Sequence, residues 1–119
     1  MKLPGPDHPI TVEPNPRRVR VLFNGKVVAD TTRALKLAEA SYPPVFYIPR
    51  ADADMNLFAR TDHHTHCPYK GDASYFTLQV DGKRAENAVW SYEQPFPAMT
   101  GIKEHLAFYP DRVDRIEEL

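Results

Sequence analysis

The chain of 119 residues has only one cysteine, so it can form no internal disulfide and no four-cysteine zinc site. Its 15 basic and 16 acidic residues nearly cancel, which leaves no overall field to recruit nucleic acid or an anionic membrane. No stretch approaches the roughly 20 apolar residues of a membrane span, and Met1–Pro6 lack the apolar run of a secretory signal. We therefore expect a soluble, cytoplasmic protein with neither nucleic acid nor membrane as partner.

Proline, by contrast, is abundant. The chain has 12 prolines, and five of them precede residue 17. Because proline fixes φ and lacks a backbone donor, residues 1–16 are predicted to form an extended arm. Ile10 and Val12 alternate with polar neighbours, so the arm is either a free tail or a segment docked on the protein. The length suits one hydrophobic core, and a single domain is predicted over residues 1–119.

Two dipeptides predict β-hairpins. Asn24-Gly25 lies between β-rich runs within residues 18–30, and Asp81-Gly82 separates a strand at Ala73–Val80 from a return strand at about Lys83–Tyr92. Both turn positions of a type I′ hairpin need positive φ, which Asn-Gly and Asp-Gly adopt readily. The two pairs are therefore the strongest local signals in the sequence.

The remaining segments are short and interrupted by proline or glycine. Residues 31–40 fit either a short helix or a strand, whereas Val45–Ile48 and Met55–Arg60 are predicted to be strands. A turn is expected near residues 98–102, before Leu106–Tyr109. The predicted class is mainly β: a small single-domain antiparallel architecture with six to eight strands and little helix.

The segment His63–Gly71, predicted to be a loop, has the densest group of reactive side chains. Cys67 lies near histidine and lysine, and such cations favour a thiolate nucleophile. His63 or His66 would then act as the base, and Lys70 as a further acid–base candidate. The alternative is that Cys67 is a small, inert, buried residue. The loop lacks the GxxxxGK[ST] pattern, which excludes a P-loop.

A metal site is the second hypothesis for this segment. Its three histidines and Cys67 are all potential zinc or iron ligands. Structural zinc sites usually draw ligands from two separated pairs, and no second CxxC or HxxxH occurs here. Asp52-x-Asp54 resembles a magnesium-binding carboxylate pair, but the match is two residues in a turn. We predict no metal site, and the sequence identifies no cofactor.

Aromatic residues indicate a ligand cleft near the same segment. They lie at strand ends or beside prolines, at Tyr47, Tyr69, Tyr75, Trp90, Tyr92, Phe96 and Tyr109. Counting back from the Asp81-Gly82 turn sets Tyr75 opposite about Ala88, with Trp90 as a diagonal neighbour. Pockets are typically aromatic with few polar groups, although these residues would equally serve as packing. The predicted ligand contacts are Arg50, Thr65, Tyr69, Tyr75, Trp90 and Tyr92.

Several of these runs together resemble one known family. They are Pro44–Arg50, His63–Tyr75 with its CPYKG core, Asn87–Tyr92 and His105–Val113. In them the chain resembles the bacterial domain of unknown function 427 family, which also has a nucleotidyltransferase-like label. The resemblance implies a β-tent (Mss4-like) fold, related to zinc-binding domains and B-type methionine sulfoxide reductases, and a docked N-terminal arm. Those relatives have two CxxC pairs that this sequence lacks, which leaves the cleft of the fold as the site.

Three functions compete at this point. The first is a domain that binds a small molecule, such as an anion or a nucleotide, in a β-fold cleft. The second is an enzyme that uses Cys67, His63 and Lys70 in thiol-based or nucleotidyl-transfer-like chemistry. The third is an interaction protein with an aromatic partner surface. No complete catalytic set is present, so the first is favoured, and a homodimer stays an open alternative.

Overall fold

The computed structural model describes all residues, 1–119, of which 55% are in strand conformation. The ten strands are β1 (Ile10–Asn15), β2 (Val19–Phe23), β3 (Lys26–Thr31), β4 (Ala34–Glu39), β5 (Val45–Tyr47), β6 (Phe58–Cys67), β7 (Gly71–Val80), β8 (Lys83–Ser91), β9 (Ala107–Phe108) and β10 (Arg115–Glu118). Four short 3₁₀ segments span Arg50–Asp52, Met55–Leu57, Pro97–Ile102 and Pro110–Arg112. None of these segments has the length and apolar character needed to cross a membrane.

The strands form three antiparallel sheets. The first has the order β1-β4-β5, the second β10-β2-β3 and the third β6-β7-β8-β9. The mainly β, antiparallel class predicted from the sequence is thereby confirmed. Ten strands exceed the predicted six to eight because very short strands such as β5 and β9 also pair.

Both predicted hairpins are present. φ is 51° at Asn24 and 77° at Gly25, and it is 48° at Asp81 and 82° at Gly82. Each pair thus supplies the two positive φ values that a type I′ turn requires. Local turn chemistry is sufficient to determine these connections.

The predicted register between β7 and β8 is wrong by two residues. Phe76 pairs with Val89 and Leu78 pairs with Ala85, so three residues of β8 oppose the single residue Thr77. Asn87 absorbs the excess with φ of 51°, and its backbone N–H donates to the Thr77 hydroxyl at 3.1 Å. Tyr75 consequently pairs directly with Trp90 instead of lying opposite Ala88.

The N-terminal arm is docked. Residues 34–39 form a strand rather than a helix, and β1 pairs with it from Ile10 opposite Glu39 to Asn15 opposite Ala34. β1 is the edge strand of its sheet. Pro14, which has no backbone N–H, is tolerated there because an edge strand pairs on one side only. Further back, the Lys2 backbone N–H donates to the Pro68 carbonyl at 2.7 Å.

The loop predicted at His63–Gly71 is wrong over most of its length. β6 continues to Cys67, and only residues 68–70 form a turn before β7. β6 is the edge strand of the third sheet, and its His63–His66 stretch is exposed to solvent. Polar side chains are therefore compatible with a strand at these positions. Met55–Leu57, predicted to be strand, forms a 3₁₀ turn, because the Asp54 side chain caps it by accepting from the Asn56 backbone N–H.

Two clusters make the core. The larger joins the second and third sheets and includes Val21, Leu78 and Val89. The smaller joins the first and third sheets and includes Leu37, Tyr47, Tyr75 and Tyr92. Because the smaller cluster contains tyrosine hydroxyls, it is the part of the core with polar chemistry.

Candidate functional site

A cavity of about 270 Å³ opens between the first and third sheets, beside the smaller core cluster. We call it the tyrosine pocket, because five of the six tyrosines of the chain line it. Its lining residues are Leu37, Glu39, Tyr42, Pro43, Val45, Tyr47, Lys70, Tyr75, Trp90, Tyr92 and Tyr109.

Strand periodicity explains why these rings converge. Tyr75 and Trp90 are direct cross-strand partners, so their side chains share one face of the third sheet. Tyr92 lies two residues beyond Trp90 and therefore faces the same way. Tyr47 approaches from β5, and the Trp90 indole N–H donates to its hydroxyl at 3.2 Å.

A second hydrogen-bonded group connects the outer phenols. The Tyr75 hydroxyl lies 3.0 Å from the Thr65 hydroxyl and 3.1 Å from the Tyr109 hydroxyl. The Tyr109 ring centroid is 4.6 Å from that of Trp90, in a tilted contact. Tyr75 thus joins β6, β7 and the segment after β9 at the wall of the pocket.

The hydroxyl groups of two pocket tyrosines donate no hydrogen bond to the protein. Tyr92 is 6% exposed and its hydroxyl makes no hydrogen bond to the protein, whereas the Tyr47 hydroxyl accepts from Trp90 but donates to no protein atom. Burial raises the pKa of both groups, and burial together with the Tyr75 contact raises the pKa of Tyr109 to about 12. These phenols are therefore neutral donors at physiological pH.

An ionic group forms the polar end of the pocket. The buried Lys70 ammonium donates to Glu39 Oε1, while His8 Nε2 lies 2.7 Å from Glu39 Oε2. Burial alone would raise the pKa of Glu39, but the hydrogen bonds from Lys70 and His8 outweigh it and hold that pKa below its usual range. The His8 ring also stacks on Tyr69, with centroids 4.2 Å apart.

The family model described as a domain of unknown function (DUF427) matches residues 11–119. The chain belongs to this family. No curated protein matches the chain. The match includes both walls of the tyrosine pocket and leaves out only His8 of the ionic group.

Four of the predicted site residues meet in this DUF427 pocket, namely Lys70, Tyr75, Trp90 and Tyr92. Two others contact its wall. Thr65 bonds to the Tyr75 hydroxyl, and the His63 ring packs edge-on against Tyr75 at 4.5 Å. Tyr69 reaches the ionic group through its stacking on His8.

Arg50 lies apart from the pocket. Its guanidinium donates to Glu93 at 3.1 Å and to the Ser91 hydroxyl at 3.0 Å. Ser91 is adjacent to Trp90 on the strand, so the two side chains point to opposite faces of the sheet. Arg50 and Trp90 are consequently separated by the third sheet.

Cys67 and His63 are not brought into contact. Both lie on the same face of β6, but they are four positions apart, which is about 13 Å along an extended strand. No hydrogen bond joins them, and Cys67 is half-buried against the smaller core cluster. His64 and His66 point to the other face, where His66 Nδ1 lies 2.7 Å from Asp72.

Carboxylate and imidazole side chains form no metal-binding cluster in the chain. No group of three or more His, Cys, Asp or Glu side chains is placed to hold a metal ion. Asp52 accepts from Thr31 and Arg33, and Asp54 caps a 3₁₀ turn. The two aspartates are therefore occupied by separate structural contacts.

Sequence reasoning did not identify Glu39 and His8. Glu39 was one acidic residue in a segment that fitted helix or strand equally, and His8 lay in an arm of uncertain placement. The pairing of β1 with β4 places His8 near Glu39, whereas Glu39 meets Lys70 because the first sheet packs against the third. The family resemblance, which implied a docked arm, was the one signal pointing that way.

Proposed function

We propose that this domain binds a small molecule in the tyrosine pocket. The observation that carries the proposal is the set of unpaired donors in an aromatic cavity, the hydroxyls of Tyr47 and Tyr92 together with the remaining N–H groups of Lys70. Donors that line a pocket without a protein acceptor are available to a ligand that supplies acceptors. The volume, about 270 Å³, suits a compact molecule.

The ligand class follows from the walls. Trp90 and Tyr109 present flat ring surfaces, which favour a planar ring by stacking or edge contact. The positive charge of Lys70 is already matched by Glu39, so the pocket favours a neutral or singly anionic ligand over a polyanion. A nucleobase, a nucleoside or an aromatic carboxylate meets these requirements.

An enzymatic role has less support from the geometry. Cys67 and His63 form no activated pair, and Lys70 is held by Glu39. Nucleotidyl transfer needs carboxylates that hold a metal beside the phosphates, and Asp52 and Asp54 each bond to structural partners instead. Ligand binding is therefore the hypothesis to test first, and catalysis the second.

A thermal-shift panel tests the proposal. The panel contains nucleobases, nucleosides, nucleoside mono- and triphosphates, and aromatic carboxylates, because a ligand that binds only the native state raises Tm by mass action. We expect a planar acceptor-rich compound to raise the Tm of the wild-type chain. Tyr92→Phe should weaken its binding about fivefold, since one hydrogen bond contributes roughly 1 kcal/mol.

Tyr69→Phe is the matched control, because Tyr69 lies outside the pocket lining and loses the same hydroxyl. It should bind the compound as the wild-type chain does. The proposal fails if no compound in the panel shifts Tm, or if every active compound binds Tyr92→Phe and wild type equally.

A further inference from the structure

A second cavity, of about 340 Å³, lies on the other side of Trp90 and Val45, the two residues that it shares with the tyrosine pocket. We call it the apolar pocket. Its lining residues are Val21, Pro44, Val45, Phe46, Ile48, Trp90, Phe108, Pro110, Arg115 and Ile116.

The walls of the apolar pocket come from all three sheets. Val21 and Ile48 are completely buried and Phe108 is 3% exposed, so the base of the cavity is formed by rigid core residues. A dry apolar cavity of about 150 Å³ already accepts benzene. A cavity of this larger size therefore has room for an aliphatic chain or a substituted aromatic ring.

Arg115 is the one charged residue in this lining. Its guanidinium forms an ion pair with Glu117, whose Oε2 lies 3.5 Å from Arg115 Nε, but it donates no hydrogen bond, so its terminal N–H groups remain available. The other oxygen of Glu117 accepts from Arg20 at 3.2 Å. Arg115 thus presents N–H donors at the edge of an apolar cavity, the arrangement that suits a carboxylate.

We propose that the apolar pocket binds an amphipathic monoanion, with the hydrocarbon part inside the cavity and the carboxylate at Arg115. The site is distinct from the tyrosine pocket, since neither Lys70 nor Tyr92 lines it. The proposal also differs in ligand chemistry, because the tyrosine pocket favours polar acceptors and this one favours apolar bulk.

Trp90 makes the proposal measurable. It is the only tryptophan of the chain and it lines both pockets, so its fluorescence reports occupancy of either one, and the variants below assign the pocket. Octanoate is the probe, and octan-1-ol is the uncharged comparison of equal chain length. We expect saturable changes in Trp90 emission with both, and tighter binding of octanoate.

Arg115→Met should weaken octanoate binding about tenfold and leave octan-1-ol binding unchanged. Arg84→Met is the control for lost positive charge, because the Arg84 side chain is exposed, makes no hydrogen bond and lies outside the apolar pocket. Tyr92→Phe should bind octanoate normally, which separates this site from the tyrosine pocket.

Three results would overturn the proposal. The first is a linear, non-saturable response of Trp90 emission to octanoate. The second is equal octanoate affinity in Arg115→Met and wild type, or a loss in Tyr92→Phe alone, which would assign the probe to the other pocket. The third is that the chain sediments as a dimer, that the dimer does not bind octanoate and that octanoate does not dissociate it. A second copy of the chain would then be the occupant of the apolar pocket.

Discussion

The Lys70 ammonium and the Glu39 carboxylate meet across the gap between the third and first sheets. Lys70 ends the turn before β7 and Glu39 ends β4, with side chains only 10% and 17% exposed. His8 adds a third contact from the N-terminal arm. One ionic group therefore connects three segments that are distant in sequence, at the polar end of the tyrosine pocket.

Lys70→Met should lower the free energy of unfolding by about 1–3 kcal/mol, because it leaves the partly buried Glu39 with His8 as its single partner. The measurement is urea denaturation at neutral pH. In the double variant Lys70→Met/Glu39→Gln the loss should be smaller than the sum of the two single losses. Additive losses would show that the pair is not coupled.

The sequence allowed correct prediction of features that depend on neighbouring residues. Asn24-Gly25 and Asp81-Gly82 each need two positive φ values, and that requirement is local. The bulge at Asn87 was not predictable, because it depends on the fit of Thr77 against a strand ten residues away. The two-residue error in the register of Tyr75 and Trp90 comes from that bulge.

The candidate site shows the same division. The sequence indicates the aromatic residues and Lys70 by residue type and by their places beside strand ends, and the structure gathers several of them in one pocket. Arg50 was placed with them because it follows a strand end, but a strand end does not determine the face of the sheet. Glu39 becomes a site residue through its contact with Lys70, which depends on the packing of the first sheet against the third and not on neighbouring residues.

Tyr75→Phe should destabilise the chain by about 1–2 kcal/mol, because it removes the contacts from the Tyr75 hydroxyl to Thr65 and Tyr109. Thermal unfolding followed by circular dichroism measures the change. Thr65→Val removes one of the two contacts and should have about half the effect. Equal stability of Tyr75→Phe and wild type would indicate that these hydroxyl contacts contribute nothing.

Glu93 should make the stability of the chain depend on acid pH. Arg60 donates to both of its carboxylate oxygens, and these bonds, with those from Arg50 and Ser74, lower its pKa to about 2 from an ordinary value of 4.5. Since the folded-state pKa is the lower one, the stabilisation is complete above the unfolded value and is lost as pH falls towards 2. Partial solvent screening limits the loss to about 1–2 kcal/mol.

The test of this pH dependence is the urea midpoint of wild type and Glu93→Gln between pH 7 and pH 2. Glu93→Gln should be less stable at pH 7 and should lose less stability on acidification. Glu86→Gln is the control, because the Glu86 side chain is exposed on β8 and makes no hydrogen bond. Parallel pH profiles for Glu93→Gln and wild type would contradict the prediction.

Gly71→Ala should destabilise the chain by about 1–3 kcal/mol, because Gly71 has φ of 112°, a conformation that L side chains rarely adopt. An added Cβ would lie 3.5 Å from the Gln94 carbonyl oxygen and from the Phe96 backbone nitrogen, which is ordinary van der Waals contact, so the cost comes from the backbone conformation. Gly101→Ala is the matched control: its φ is ordinary and open space surrounds the added methyl, so the change should be neutral or slightly stabilising. Urea denaturation of both variants decides the matter, and equal stability of Gly71→Ala and Gly101→Ala would show that the turn before β7 does not require glycine.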